Sequence, residues 1–387
     1  MKRVYLDYAA ATPVDPEIRR TMDEFYDQNF GNASGIYKEG REAKKALNEA
    51  RGKIAKILSA HPDEIIFTSG GTEANNLAIF GGATNGHIIT TSFEHRSVLK
   101  PIKKLENEGF DVTYLKVSQE GFVNPEDLKN ALRENTILVS IMYVNNEIGT
   151  IQPIREISKI IRAKRSNLKG SIEVGSRYPL FHTDACQAVG YLDLSVEKLG
   201  VDLMSFSGAK VYGPKGIGFL YKRRGVHLSP QILGGGQEFG FRSGTEPPGL
   251  AVGLAKAFEV SRGKICEETK RLEDLRNYFA REILKRISGA QVNGSLENRI
   301  PSNLSVSFRG IESESLIIAL DENGIAVSSG SACDLKLPEL PHVIMALGKG
   351  EDAAHGVIRF SFGIDTTRED IDYVLEVLPD LINKLRI

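Results

Sequence analysis

The sequence is short of cysteine, of net charge and of long apolar runs. Its 387 residues include 3 cysteines at scattered positions, which fits a reducing compartment better than a disulfide framework. The formal net charge of −1 gives no reason to expect nucleic acid or an anionic membrane as a partner. No apolar run is long enough to span a bilayer, and Asp7 precedes any apolar core of a signal peptide. We therefore expect a cytoplasmic globular protein in which at least one cysteine is a working thiol.

Alternating strand and helix patterns define the first two thirds of the chain. Apolar segments such as HIITTS and DLMSFS alternate with helical segments such as PEDLKNALRE, which favours a mostly parallel sheet covered by helices on both faces. Beyond about Gly249 a long amphipathic helix over about 250–287 leads into a mixed pattern of strands and helices. The sequence therefore predicts an α/β fold with a large domain over 15–250 and a smaller α+β domain that includes 251–387.

Lys210 lies at the end of the apolar strand VDLMSFSGAK, and Asp184 lies in the preceding strand, in FHTDACQAVG. A pyridoxal phosphate (PLP) enzyme needs an amine that holds the aldehyde as a Schiff base and a carboxylate that keeps the pyridine nitrogen protonated. Parallel strands that end side by side present both groups. The alternative is a surface lysine and an unrelated aspartate, which would be the better interpretation of either residue alone.

Three further patterns indicate chemistry. The turn TSGGTEANNLAI places free backbone N–H groups at a helix start, where a phosphate binds, although a plain strand-to-helix turn looks similar. His182, Asp184 and Cys186 alternate along a strand as a metal set would, but a fourth ligand is missing, and a small buried Cys186 is the simpler interpretation. Cys333 lies in a run of small residues, which favours an exposed and mobile thiol.

Six motifs in order, TSGGTEANNLAI, NNEIGTIQP, HTDACQ, GPKGIG, GGGQEFGFRSGTE and SSGSAC, resemble those of the cysteine desulfurases. These enzymes are a branch of the PLP-dependent class V aminotransferase family, and the resemblance covers essentially the whole chain. It implies the fold type I, aspartate-aminotransferase-like architecture. It also implies that residues 1–14 pack with 251–387, so that the small domain is discontinuous.

The resemblance assigns roles to the motif residues. It implies that Lys210 binds PLP covalently and that His95 stacks on the pyridine ring, available for proton transfers near the substrate α-carbon. Thr245 is expected to reach the phosphate of the neighbouring subunit's PLP, which implies a homodimer. The remaining cofactor-binding residues are expected to be Gly71, Thr72, Asn146, Asp184, Gln187 and Ser207.

Cys333 and Arg359 are the residues expected to handle the substrate. The resemblance implies that Arg359 binds the α-carboxylate and that Asn146 lies beside the substrate as well as the cofactor. It also implies that Cys333 takes the sulfur of L-cysteine as a persulfide, leaving L-alanine. The acceptor would be an iron–sulfur scaffold or a tRNA-thiolation protein. A selenocysteine lyase, another class V β-eliminating enzyme, and a weakly active or non-catalytic platform homologue remain as alternatives.

The chain departs from the family pattern at four places. Ala209 replaces the usual histidine before the lysine, so that one phosphate contact is expected to be absent, which would cost about 1.5–3 kcal/mol. Ala11 replaces a threonine of the opening motif, and Tyr37 replaces a histidine. The stretch 164–179 is longer and more polar than the family commonly has, and is expected to be a surface insertion.

Overall fold

The computed structural model describes residues 2–167, 178–263, 265–330 and 340–386. The helices in these residues are α1 (Pro16–Asp27), α2 (Lys38–Leu58), α3 (Gly71–Gly82), α4 (Arg96–Asn107), α5 (Pro125–Ala131), α6 (Ile154–Asn167), α7 (Val196–Leu199), α8 (Pro248–Gly263), α9 (Ile265–Arg286), α10 (Ser313–Glu322), α11 (His342–Ala346), α12 (Glu351–His355) and α13 (Arg368–Leu385). The strands are β1 (Val4–Tyr5), β2 (Ile65–Thr68), β3 (His87–Thr91), β4 (Asp111–Leu115), β5 (Thr136–Ser140), β6 (Leu180–Asp184), β7 (Leu203–Ser207), β8 (Gly218–Lys222), β9 (Ala290–Val292), β10 (Asn303–Phe308), β11 (Ile325–Ala326) and β12 (Val357–Ser361).

A seven-stranded sheet forms the centre of the molecule, in the order β2-β8-β7-β6-β5-β3-β4. The pairs from β7 to β4 are parallel, and β8 is antiparallel to both β7 and β2. The carboxyl ends of β5, β6 and β7 therefore lie side by side at one edge. In open α/β sheets this edge is where ligands bind.

Both faces of this sheet are buried, as the apolar strand segments predict. Adjacent residues of one strand enter different cores: Leu138 packs with α3 and α4 on one face, and Val139 with α2, α6 and α8 on the other. Leu203 and Met204 divide in the same way. Since side chains alternate across a strand, a continuous apolar run requires helices on both faces. The predicted mostly parallel α/β fold is confirmed.

A smaller assembly follows α8. Strands β9, β10 and β12 form an antiparallel sheet that packs in its own core with α9, α10 and α13. Strand β1 pairs with β11, so the start of the chain joins the C-terminal part, as the discontinuous small domain requires. The domain boundaries at 14/15 and 250/251 remain a prediction.

Two sequence predictions fall partly outside the described residues. The long helix over about 250–287 is covered by α8 and α9, on either side of residue 264, which lies outside the described residues. The predicted insertion over 164–179 begins inside α6, whose last residues are 164–167, and positions 168–177 lie outside the described residues. Among the described helices, none has the length and apolarity needed to cross a membrane.

Candidate active site

A cavity of about 470 Å³ opens at the carboxyl ends of the central strands. The small domain closes it through Arg359 on β12, Gly330 and His342. Most residues that the sequence predicted for the site line this cavity: Gly71, Thr72, His95, Asn146, Asp184, Gln187, Ser207, Lys210 and Arg359.

The glycine turn lies between β2 and α3. Gly70 has φ of 154°, a conformation that residues with a side chain rarely adopt, and Gly71 begins the helix. A Cβ on Gly71 would lie 2.7 Å from Cys186 Sγ, so this position accepts only glycine without a shift. The free N–H groups of the first helical turn border the cavity together with Ser207 at the end of β7. This is a site suited to a phosphate group.

Asp184 ends β6 and is held by two donors. Asn75 Nδ2 donates to Asp184 Oδ2 at 2.7 Å, and the Cys186 N–H donates to Asp184 Oδ1 at 2.9 Å. These bonds orient the buried carboxylate beside the cavity, as a partner for a protonated ring nitrogen must be oriented. Sequence reasoning missed Asn75, although it lies in the glycine-turn motif.

Lys210 follows β7 in a short turn of 3-10 helix. Its Nζ donates to the carbonyl oxygens of Ala9, at 2.9 Å, and Ala10, and Gln187 Nε2 donates to the Ala9 oxygen at 3.1 Å. Burial lowers the pKa of Lys210, and nearby Arg359 acts in the same direction. A lowered pKa increases the fraction of neutral amine, which is the form that attacks an aldehyde.

His95 caps the start of α4. Its Nδ1 accepts from the Ser97 N–H at 3.1 Å, and Ser97 Oγ lies 2.7 Å from the same nitrogen. Burial lowers the pKa of His95, against the effect of Asp184. The imidazole is therefore mainly neutral at physiological pH.

Arg359 is buried on β12, and two hydrogen bonds fix its guanidinium. Nη2 donates to Asp7 Oδ1 at 2.7 Å and Nη1 to the Asn146 carbonyl oxygen at 3.0 Å, while Nε has no partner among the described residues. A guanidinium has five N–H donors, so donors remain for a carboxylate. Sequence reasoning missed Asp7 as the residue that orients this arginine.

One predicted residue that the structure describes does not line the cavity. Thr245 is exposed and does not line it. Cys333 lies outside the described residues. Of the departures from the family pattern, Ala209 lines the cavity, the Ala11 carbonyl accepts from Tyr5 OH, and Tyr37 is exposed at the start of α2.

The end of strand β6 corrects the expectation that His182, Asp184 and Cys186 alternate along one strand. It ends at Asp184, so Cys186 does not continue the alternation with His182 and lies in the following turn. Cys186 therefore borders the cavity and is not simply a core residue, and burial raises the pKa of its thiol. Both nitrogens of His182 are bonded to the hydroxyls of Ser140 and Ser205, at 2.8 and 3.0 Å. Within the described residues, no group of three or more metal-ligating side chains is placed to hold an ion.

The fold and the site define a PLP-binding enzyme. A lysine and a carboxylate lie at neighbouring strand ends, a glycine turn is suited to a phosphate, and the small domain contributes an arginine to the same cavity. Comparison with known proteins agrees with this geometry. The profile of the aminotransferase class-V family matches residues 4–374. The cysteine desulfurase IscS of Dictyoglomus turgidum is 50% identical over 392 residues, which cover 100% of this chain and 96% of that protein. The IscS of Methanosarcina thermophila is 46% identical over 391 residues, with 100% and 93% covered.

Solved structures show the same likeness. A NifS-like protein superimposes with a TM-score of 0.91 at 38% identity, covering 99% of this chain and 100% of that one. A protein described as SspA in complex with cysteine gives a TM-score of 0.78 at 36% identity, covering 93% and 98%. The chain therefore belongs to the cysteine desulfurases of the class-V aminotransferase family, which depend on PLP.

Proposed function

We propose that the protein converts L-cysteine to L-alanine, carries the sulfur as a persulfide on Cys333, and delivers it to an iron–sulfur scaffold or a tRNA-thiolation protein. The single observation that carries this proposal is the cavity itself, where Lys210, Asp184 and Arg359 face the same space. A cytoplasmic location remains a prediction.

The residues around the cavity fit PLP. The start of α3 and Ser207 would hold its phosphate, Asp184 its ring nitrogen and Lys210 its aldehyde carbon. When bound, this cofactor supplies an electron sink that weakens bonds at the α- and β-carbons of an amino acid. The protein supplies the orientation of both reactants.

Arg359 orients the substrate in this scheme. Asp7 and the Asn146 carbonyl fix the guanidinium, so that its remaining donors bind the α-carboxylate in one direction. The C–S bond of cysteine then breaks, an S–S bond forms on Cys333, and a proton added at the β-carbon leaves alanine. A thiol suits this step because a usable fraction of it is thiolate near neutral pH.

The experiment that tests the function is an alanine assay with Cys333→Ser. We expect this variant to bind PLP as the unaltered protein does and to form no alanine from cysteine above background. Cys266→Ser is the matched control and should keep most of the activity. Normal alanine formation by Cys333→Ser would contradict the proposal, and a lyase that expels sulfur without a protein thiol would then explain the data.

The proposed homodimer is supported by residues 232–246, the segment that carries Thr245. Leu233 is 80% exposed and Phe239 is 55% exposed in this segment, so it offers apolar side chains to another molecule. We propose that a second copy of the chain covers it and receives Thr245 at its PLP phosphate. Sedimentation should show a dimer, and Thr245→Ala should lose PLP faster on dilution. A fully active monomer at assay concentration would contradict this arrangement.

A further inference from the structure

A continuous set of hydrogen bonds joins Asp184 to His95 through the cavity wall. Asn75 Nδ2 donates to Asp184 Oδ2 at 2.7 Å and to Ser97 Oγ at 2.8 Å. Ser97 Oγ lies 2.7 Å from His95 Nδ1, and the Ser97 N–H donates to the same nitrogen at 3.1 Å. Asn75 and Ser97 are both buried. The two residues therefore link the carboxylate at the end of β6 to the histidine at the start of α4.

The direction of each hydrogen bond in this set is determined. A flipped Asn75 amide would place its oxygen against the carboxylate oxygen of Asp184, so both N–H groups of Nδ2 must serve as the donors. Ser97 Oγ accepts one of them, and its single proton is then free to be donated to His95 Nδ1. Two donors from Ser97, the backbone N–H and the hydroxyl, thus converge on one ring nitrogen.

A ring nitrogen that accepts two hydrogen bonds carries no proton. The neutral imidazole then keeps its proton on Nε2, for which the described residues provide no hydrogen-bond partner, and His95 borders the cavity. We propose that Asn75 and Ser97 are positioning residues that hold His95 neutral with its proton on Nε2, so that its Nε2–H is the group available to the substrate. This inference rests on the proposed function insofar as His95 faces the substrate.

The surrounding charges favour the same state. Burial disfavours the imidazolium form of His95, and Lys210, Arg359 and Arg96 add positive charge around it, while the Asp184 carboxylate opposes them. His95 also lies at the N-terminus of α4, where the helix dipole disfavours a cation. An imidazolium would in addition turn an Nδ1–H toward the Ser97 N–H and break the cap. Hydrogen bonding, charge and burial therefore all favour the neutral form of His95.

The test reads the histidine directly and needs no turnover. Nitrogen-15 NMR of cofactor-free protein labelled at histidine reports the tautomer and pKa of each imidazole, and His95→Gln identifies the His95 signals. We expect the unaltered protein to show the neutral form protonated on Nε2 at about pH 7. Ser97→Ala removes the hydroxyl donor and should raise the pKa of His95 by about 0.5 to 1 unit.

The matched control is Thr113→Val. It removes a hydroxyl bonded to another buried histidine, His87, whose Nε2 lies 2.8 Å from Thr113 Oγ1. This variant should shift the His87 signals and leave those of His95 unchanged. An Nδ1–H tautomer, an imidazolium at neutral pH, or His95 signals that Ser97→Ala does not move would overturn the inference. Because none of these measurements depends on alanine formation, a failed desulfurase assay would count against the proposed function alone.

Discussion

Gly71→Ala is the substitution whose effect the structure defines most sharply. The new methyl group would lie 2.7 Å from Cys186 Sγ and 3.5 Å from Ser207 Cβ. The first distance is far below van der Waals contact, and the thiol is confined in the turn after β6. Overpacking of this kind costs typically about 1–3 kcal/mol. We therefore expect Gly71→Ala to lower the unfolding midpoint of the cofactor-free protein and to weaken its retention of PLP.

A second substitution identifies the cause. Cys186→Ala removes the sulfur atom that the methyl group meets, so the double variant should recover most of the midpoint lost by Gly71→Ala. The recovery is a coupling free energy, which for residues in contact amounts to about 0.5–3 kcal/mol. Urea unfolding of the four proteins of this cycle measures it.

Gly52→Ala is the control for the change from glycine to alanine in a helix. Gly52 lies in α2 with nothing within 4 Å of the added Cβ, so this variant should gain up to about 1 kcal/mol of stability. Equal losses for Gly71→Ala with and without Cys186 would refute the steric reasoning. The backbone of the turn, and not the thiol, would then require the glycine.

Three further outcomes are expected. Lys210→Ala should abolish covalent PLP attachment, which mass spectrometry after borohydride reduction detects, whereas Lys215→Ala should keep it; a pyridoxyl group on Lys215 would contradict the assignment. Ala209→His should tighten PLP binding about tenfold or more if it restores a charge-assisted phosphate contact, and an unchanged dissociation constant would show that no contact is missing. Burial raises the pKa of Glu94 to about 8. The stability from protonated Glu94 is therefore present below its ordinary pKa and is lost as the pH rises through about 8, so the unfolding midpoint of Glu94→Gln should fall less over this range.

Residues at strand ends could be predicted from the sequence because the apolar segment that predicts a strand also shows where the strand ends. Lys210 and Asp184 each follow an apolar segment, and parallel neighbours bring such ends to one edge of the sheet. The orienting residues could not be found in this way. Asp7 and Arg359 are 352 positions apart, and Asn75 and Asp184 are 109 apart, so only the packed chain places them in contact. Even the alternation rule failed one step beyond the strand, because β6 ends before Cys186.

The buried side chain of Glu238 holds the segment 232–246, which carries the exposed Thr245, against the rest of the fold. Glu238 is buried and bonds Arg51 through both carboxylate oxygens, at 2.7 and 2.9 Å, and it also accepts from the Phe67 N–H at 2.8 Å. Glu238 and Phe239 have φ of 48° and 59°, a conformation that costs free energy in residues with a side chain. Such strain persists only where the surroundings fix it, and the loss of one partner of a buried pair costs about 3–5 kcal/mol. The chain thus maintains a strained segment at its surface, as the proposed role of Thr245 at a second subunit's cofactor requires.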